Sequence, residues 1–321
     1  MSPELLKFLE LTFNGLNTGM LYGLIAIGYT MVYGIILLIN FAHGEVCMLG
    51  AMFTFTLIGW LLDPALAIPG FAFLVFVALA SFADGWFGIA LDRVAYKPLR
   101  GSSRLSVLIT AIGMSLLLQN LAVILWDPSA KLILVPSWFH DAVFTVGGRL
   151  GIKVTAFHVM LWVTTVASMI ALYFVVMRTK MGMAMRACAQ NPTAASLMGI
   201  QLNRVVAVTF FIGSVLGAVG GIAVAINKGS FDYQIGLYVG VIAFAAAVLG
   251  GIGDIRGAML GGLIIGVAEA WAAGYLGDIP HPITDGGLHT GYKEAVGFCV
   301  LIFIILVRPQ GLLGTRGGDR A

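Results

Sequence analysis

Apolar residues run along the chain in nine blocks, at about 12–38, 46–62, 66–90, 105–125, 155–177, 205–226, 238–252, 258–276 and 294–307. Short polar connections separate them, and the pattern predicts an all-α polytopic membrane protein with about eight to ten transmembrane helices. The first block is ambiguous. Running from near Leu5 to near Ile39, it is too long for one upright helix and is interrupted by Asn14, Gly15, Asn17 and Gly19, which predicts either one long tilted helix or two short ones. Between the fourth and fifth blocks lies the longest non-apolar stretch, about 126–154. Its Ala142–Thr155 portion alternates β-formers on either side of Gly147 and Gly148, as a hairpin does. This hairpin is either a lid or docking surface on the outer face, or a passive cover.

Composition agrees. The chain has 321 residues, 60% of them hydrophobic, with 18 Lys and Arg against 15 Asp and Glu, far below the charge of a soluble domain. The 42 glycines and 14 methionines suit helices that approach closely and fill irregular gaps. No length remains for a sizeable soluble domain, so residues 1–321 are read as a single transmembrane domain, and any energy-coupling domain belongs to another chain. Net charge is only +3, which suggests no nucleic-acid partner. The three cysteines have no motif spacing for a disulfide framework or a metal site. Glu4 and Glu10 beside Lys7 are the wrong pattern for a cleaved signal, so the first block is read as a retained helix.

Charge distribution orients the helices. Arg93, Lys97, Arg100 and Arg104 share one connection, Arg178, Lys180, Arg186 and Arg204 another, Arg256 a tight turn, and Arg308, Arg316 and Arg320 the tail. Counting helices puts these twelve on one side, against Lys131, Arg149, Lys153, Lys228 and Lys293 on the other, and the positive-inside rule makes the first side cytoplasmic, C-terminus included.

Three features do not belong in lipid. Asn40, His43, Gly44 and Glu45 interrupt the apolar stretch between Gly19 and Leu62. Backbone broken by Gly44 at membrane depth would line a pathway, as in discontinuous transporter helices; the alternative is a short turn capped by Asn40. Gly253, Gly257 and Gly261 recur every four residues, a spacing for close helix packing, with Asp254 favouring the start of the following helix. Glu269 sits in an apolar block, to pair with a polar group of another helix, to contact substrate, or to be neutral and merely hydrogen-bonded. Small-residue spacings also occur at Gly15, Gly19 and Gly23 and at Gly213, Gly217 and Gly221.

The cytoplasmic loop at about 178–204 is more than a connector. Asn191 can cap a helix with Pro192 at its first position and Gly199 to end it, giving a short Ala-rich helix suited to a groove on a cytoplasmic partner. The chain has no phosphate-binding loop, zinc-protease motif or nucleophile elbow, so no catalytic group set is read here.

The stretch from Ala26 to Ile36 and on through Leu38–Glu45 resembles the signature of the LivH-type permease of bacterial branched-chain amino acid ABC importers. Similar matches occur at Asp92–Arg100, Ala111–Leu116, Met185–Asn191 with Met198–Ile200, Ala246–Gly253 and Pro309–Gly314; Asp254 and Arg256 depart from the family pattern after Gly253. The resemblance implies an inner-membrane subunit that moves leucine, isoleucine and valine by alternating access. It further implies a homologous LivM-type permease, two ATPase subunits of LivG/LivF type that bind ATP and Mg, no cofactor in this chain, and a periplasmic or lipid-anchored binding protein. By the same analogy Ala187–Gly199 becomes the coupling helix, with Arg186, Ala187, Gln190, Asn191, Pro192, Ala195, Leu197 and Gly199 as candidate contacts. Asn40, His43, Gly44, Glu45 and Glu269 become candidate pathway residues. Urea or short-amide import is the nearest rival, and an ion-coupled transporter using His43, Glu45 and Glu269 as a relay is a more distant one.

Overall fold

The first block forms one continuous 34-residue helix, α1 (Pro3–Ile36), in the computed structural model, which describes residues 3–36, 40–61, 69–146, 152–275 and 292–314. At 1.5 Å per residue such a helix is about 51 Å long, well beyond a hydrocarbon core of about 30 Å. Gly15, Asn17 and Gly19 do not break it because neighbouring helices use them: α10 packs on the two glycines and Asn17 accepts from the Trp162 indole, while Asn14 is exposed. There follow α2 (His43–Leu61), α3 (Gly70–Leu91), a π turn at Asp92–Tyr96, a 3-10 turn at Lys97–Leu99, and α4 (Arg104–Trp126). Beyond a two-stranded hairpin come α5 (Ala156–Arg178), α6 (Lys180–Gln190), α7 (Pro192–Leu197), α8 (Leu202–Lys228), α9 (Ile235–Gly250), α10 (Ile255–Tyr275) and α11 (Lys293–Val307). Each of the nine apolar blocks contains a helix, and among the described residues seven helices are long and apolar enough to cross a membrane, with α9 and α11 shorter.

Local chemistry sets several boundaries. Pro69 precedes α3, the Ser103 side chain accepts from Ser106 N–H at 3.2 Å at the start of α4, and Thr155 and His158 form a capping box at the start of α5. Gly229 (φ 75°) closes α8 and Gly251 (φ 105°) closes α9, in backbone conformations a side chain would resist.

Around α1 the bundle is assembled by backbone contact. It packs most extensively on α10, antiparallel: a Cβ on Gly15 would lie 2.6 Å from Val267 Cα, one on Gly19 2.7 Å from Leu263 Cα, and one on Gly262 2.6 Å from Gly23 Cα. The spacing at Gly213, Gly217 and Gly221 serves two partners. Gly213 meets Val32 of α1, while Gly217 and Gly221 meet His43 and Cys47 of α2. The spacing at Gly253, Gly257 and Gly261 is only partly a helix face, because α10 starts at Ile255 and Gly253 lies in the preceding turn at φ 99°. Gly257 and Gly261 do pack, against Gly250 and Ala246 of α9. Asp254 Oδ1 accepts from Gly257 N–H at 2.8 Å, so it favours the start of α10 as its position suggested.

The hairpin pairs β1 (Ala142–Val146) with β2 (Ile152–Thr155) antiparallel, while Gly147 and Gly148 lie outside the described residues. It is fastened down: Phe139 is buried against Phe73 at 5.1 Å between rings, and Lys131 and Phe231 exchange backbone hydrogen bonds of 2.7 and 2.9 Å.

The basic-rich connections come together at the other end of the bundle. Tyr96 donates to Asn40, Arg100 donates to Asn203 at 2.6 Å, Arg256 lies 5.2 Å from the Tyr173 ring, and Leu312 and Leu313 N–H groups bond the carbonyls of Leu249 and Gly250. Arg316 and Arg320 lie outside the described residues.

The glycine contacts predict a position-specific cost. Gly19→Ala is expected to destabilise by about 1–3 kcal/mol because its Cβ would meet backbone, whereas Gly59→Ala, with nothing within 4 Å, is expected to leave stability unchanged or slightly raised. Thermal unfolding of both variants in detergent checks this, and equal losses would refute the packing argument.

Candidate functional site

The Asn40–Glu45 segment is neither a plain turn nor a helix broken at Gly44. The helix break comes earlier, Phe41 and Ala42 form a turn, and Gly44 stands in the first turn of α2. Glycine is required there because α9 crosses directly over it: a Cβ on Gly44 would overlap Gly236 O and lie 2.9 Å from Gly240 Cα. Asn40 does not cap α2 with its side chain. Its Oδ1 accepts from Tyr96 O–H at 2.5 Å, tying the start of α2 to the π turn after α3.

The polar side chains of this segment diverge. His43 turns to α1 and α8, edge-on to Tyr29 with ring centroids 4.5 Å apart and beside Gly28 and Gly217. Glu45, 0% exposed, turns to α4, where its Oε1 accepts from Ser115 Oγ at 3.0 Å and Gln119 Nε2 at 3.2 Å. Its Oε2 lies close under Gly236. Glu269 is separate from all three. Buried in α10, it accepts from Tyr22 O–H of α1 at 2.9 Å, which is the pairing with another helix that its position allowed.

Glu45 stands behind Ser115 and Gln119, which line a groove between α4 and α9. One part is lined by Tyr29, Phe41, Ser115, Leu116, Gln119 and Val241. Gln119, Leu237 and Val241 carry it into a wider part of about 410 Å³ walled by Tyr238, Gln234 and Phe298 of α11. Gln234 and Tyr238 lead on to Ser230, Asp232 and Lys228, whose ammonium lies 3.8 Å from the centre of the Tyr238 ring. The groove thus follows the first half of α9, from the middle of the bundle to the hairpin end. Its lining alternates hydrogen-bonding groups with Leu237, Val241 and Ile242, and suits a small solute with polar ends and an apolar middle. Asn40 and His43 do not line it.

Sequence reasoning missed Ser115, Gln119, Gln234 and Tyr238. A signal existed, since Ser115 and Gln119 stand four residues apart, on one face of a mostly apolar helix. Asp84 was also passed over, although it is a carboxylate in the middle of an apolar block. It is 0% exposed within α3, and its oxygens have no hydrogen-bond partner among the described residues.

At the basic-rich face, α7 begins as anticipated. Asn191 accepts from Ala194 N–H at 3.0 Å, Pro192 holds the first position and Gly199 (φ 83°) ends the turn. The stretch Ala187–Gly199 is not one helix, because Ala187 and Gln190 belong to α6. The candidate contacts also divide. Arg186 folds back to donate to Val176 O of α5 and Ala195 is buried, whereas Gln190, Asn191, Pro192, Leu197 and Gly199 are exposed. Leu197 and Met198, at 84% and 83%, present a bare apolar pair.

A model of the branched-chain amino acid transport system permease component matches residues 11–305. The chain belongs to that family. It is 43% identical over 320 residues to the high-affinity branched-chain amino acid transport system permease protein LivH of Salmonella typhimurium (strain LT2), covering 98% of both chains. Identity to the LivH protein of Escherichia coli (strain K12) is 42% over 326 residues, again 98% of both, and to the BraD permease of Pseudomonas aeruginosa 43% over 319 residues, 97% of both. This permease is therefore a multi-pass membrane subunit of a transport system rather than an enzyme.

The α2–α4 contact generates a test by double-mutant cycle. Glu45→Ala and Ser115→Ala are expected to couple by about 1–2 kcal/mol in thermal or denaturant stability, while Ser115→Ala and Glu269→Ala are expected to be additive. Additivity of the first pair would refute Glu45 as the support behind Ser115.

Proposed function

We propose that this permease passes leucine, isoleucine and valine across the inner membrane by alternating access, with ATP hydrolysed by partner subunits. The observation that carries the reading is the identity of 42–43% over almost the full length of relatives named for high-affinity branched-chain amino acid transport. The α4–α9 groove fits it. Ser115, Gln119, Gln234 and Tyr238 offer donors and acceptors to the ammonium and carboxylate of a zwitterion, and Leu237, Val241 and Ile242 offer contact to an aliphatic side chain. Glu45 holds Ser115 and Gln119 in place from behind. The groove is open along its length, and a homologous permease of LivM type would close it.

As a permease component, the chain works with ATPase and binding-protein components. The specific reading is two ATPases of LivG/LivF type, which hold the ATP and Mg, and a periplasmic or lipid-anchored binding protein that sets most of the selectivity. The excess of Lys and Arg at the α7 end of the bundle supports a cytoplasmic assignment for that face and the C-terminus. α7 then meets an ATPase through Leu197 and Met198. Closure of the ATPase pair would push on α7 and tilt the two permeases between inward-open and outward-open states.

Labelled leucine is expected to enter vesicles that hold the permease, its neighbour permease, ATPases and binding protein only when ATP is supplied, in competition with isoleucine and valine. Urea uptake in place of leucine would replace the substrate, and uptake without ATP would overturn the ATP-driven reading. In the same vesicles Gln119→Leu is expected to lower leucine uptake about tenfold at unchanged assembly. Leu197→Asp is expected to weaken ATPase co-purification by about 2 kcal/mol while the permease keeps its thermal stability. Unaltered co-purification would exclude α7 as the contact.

A further inference from the structure

A second groove lies on the outer flank of the bundle, away from the α4–α9 groove, where the end of α3 and the following π turn meet the start of α8. It encloses about 660 Å³. At one end are Arg93, Lys97 and Arg204, all exposed and without an acidic partner among the described residues. At the other end Trp86 (57% exposed) and Phe211, edge-on to one another with ring centroids 6.0 Å apart, stand with Ile89, Ala207 and Val208 as an apolar wall. The one acidic residue of the lining, Asp92, is buried and taken by the Arg100 guanidinium, which also donates to Asn203 at 2.6 Å. Three cations are thus left over, and α8 carries no acidic residue in its first turn to offset Arg204.

We infer that this groove holds the headgroup and upper acyl chain of an anionic phospholipid, with Arg93, Lys97 and Arg204 on the phosphate and Trp86 and Phe211 against the glycerol and chain. The order of the lining carries the argument. Cations lie at the ends of the membrane-crossing segments, and an exposed indole and apolar wall continue directly toward the hydrocarbon, so one ligand must satisfy both chemistries at once. A soluble anion would leave the aromatic wall without a role. An acidic protein surface would leave that wall facing the bilayer. The Arg100 ties make the groove rigid, since they fasten the π turn to α8 from behind. The inference takes its leaflet, but not its chemistry, from the cytoplasmic assignment of this face.

The test measures retention of phosphatidylglycerol against phosphatidylcholine by native mass spectrometry of the full chain, purified with its copurifying subunits. Wild type is expected to retain phosphatidylglycerol preferentially. Each of Arg93→Gln, Lys97→Gln and Arg204→Gln is expected to weaken that retention about fivefold, and the three together about a hundredfold. Lys153→Gln at the opposite end is expected to leave it unchanged, and Trp86→Ala to weaken retention of the lipid without weakening that of glycerol phosphate. The single variants keep the test open should the triple variant fold poorly, which its thermal transition reports. Equal retention of the two lipids, or wild-type retention by the Arg204→Gln variant, would overturn the inference. Inorganic phosphate or glycerol phosphate bound as tightly as the lipid would replace it with a soluble-anion site. Loss of ATPase subunits with lipid retention intact would replace it with a protein-docking surface.

Discussion

Helices in a bilayer gain little by hiding apolar surface from one another, because lipid chains are as apolar as leucine; what holds them is close packing and the polar ties it permits. α1 is where this permease meets that constraint. Its glycines point in different directions toward different partners: Gly15, Gly19 and Gly23 to α10, Gly28 to His43 and α8, and Gly34 to the turn at Gly253. A helix of about 51 Å can run through the bundle only if its neighbours come to its backbone, and each does so at a glycine or beside one. The position of α2 follows, since His43 sits in the space left by Gly28 and Gly217, and with α2 placed, Glu45 reaches α4.

The architecture was legible in the sequence because its signal is long-range and repetitive. Nine apolar blocks gave nine apolar helices within a few residues, and even the hairpin was visible from its alternation. The number of helices in the first block was not legible, because Asn14, Gly15, Asn17 and Gly19 look alike whether they break a helix or pack it; Asn17 receives the Trp162 indole and the glycines receive α10, facts of tertiary contact. Gly253 failed for the converse reason. Spacing of four marks a face only within one helix, and a left-handed backbone at Gly253 ends that condition.

The site was legible as residues but not as an arrangement. Asn40, His43 and Glu45 are close in sequence and look like one polar cluster, yet Asn40 precedes α2 while His43 and Glu45 fan out around the axis of its first turn, so each is delivered to a different neighbour. Sequence finds the carboxylate more readily than its partners: Glu45 and Glu269 are conspicuous in apolar surroundings, while Ser115, Gln119 and Tyr22 are ordinary until something buried bonds to them. Asp84 differs from both. Its oxygens have no hydrogen-bond partner among the described residues although it is fully buried in α3, and a carboxyl in such a place constrains which packings of that helix are acceptable.

The two ends of the proposed mechanism are joined by backbone rather than by long side chains. α7 is ended by Ile200 N–H bonding Ala195 O and Gly199 N–H bonding Ser196 O, both at 3.0 Å, and α8 begins two residues later at Leu202. α8 in turn grips α2 at Gly217 and Gly221, against His43 and Cys47, within two residues of Glu45 on either side. α2 then meets α9, the spine of the groove, at Gly44, Gly236 and Gly240. Side chains at an interface absorb displacement by changing rotamer, but glycine contacts have none to change. In the proposed mechanism, a push delivered at Leu197 would pass through α8 and α2 toward the groove with little to dissipate it, and the glycines that let the bundle assemble in lipid would also make it stiff enough to carry work.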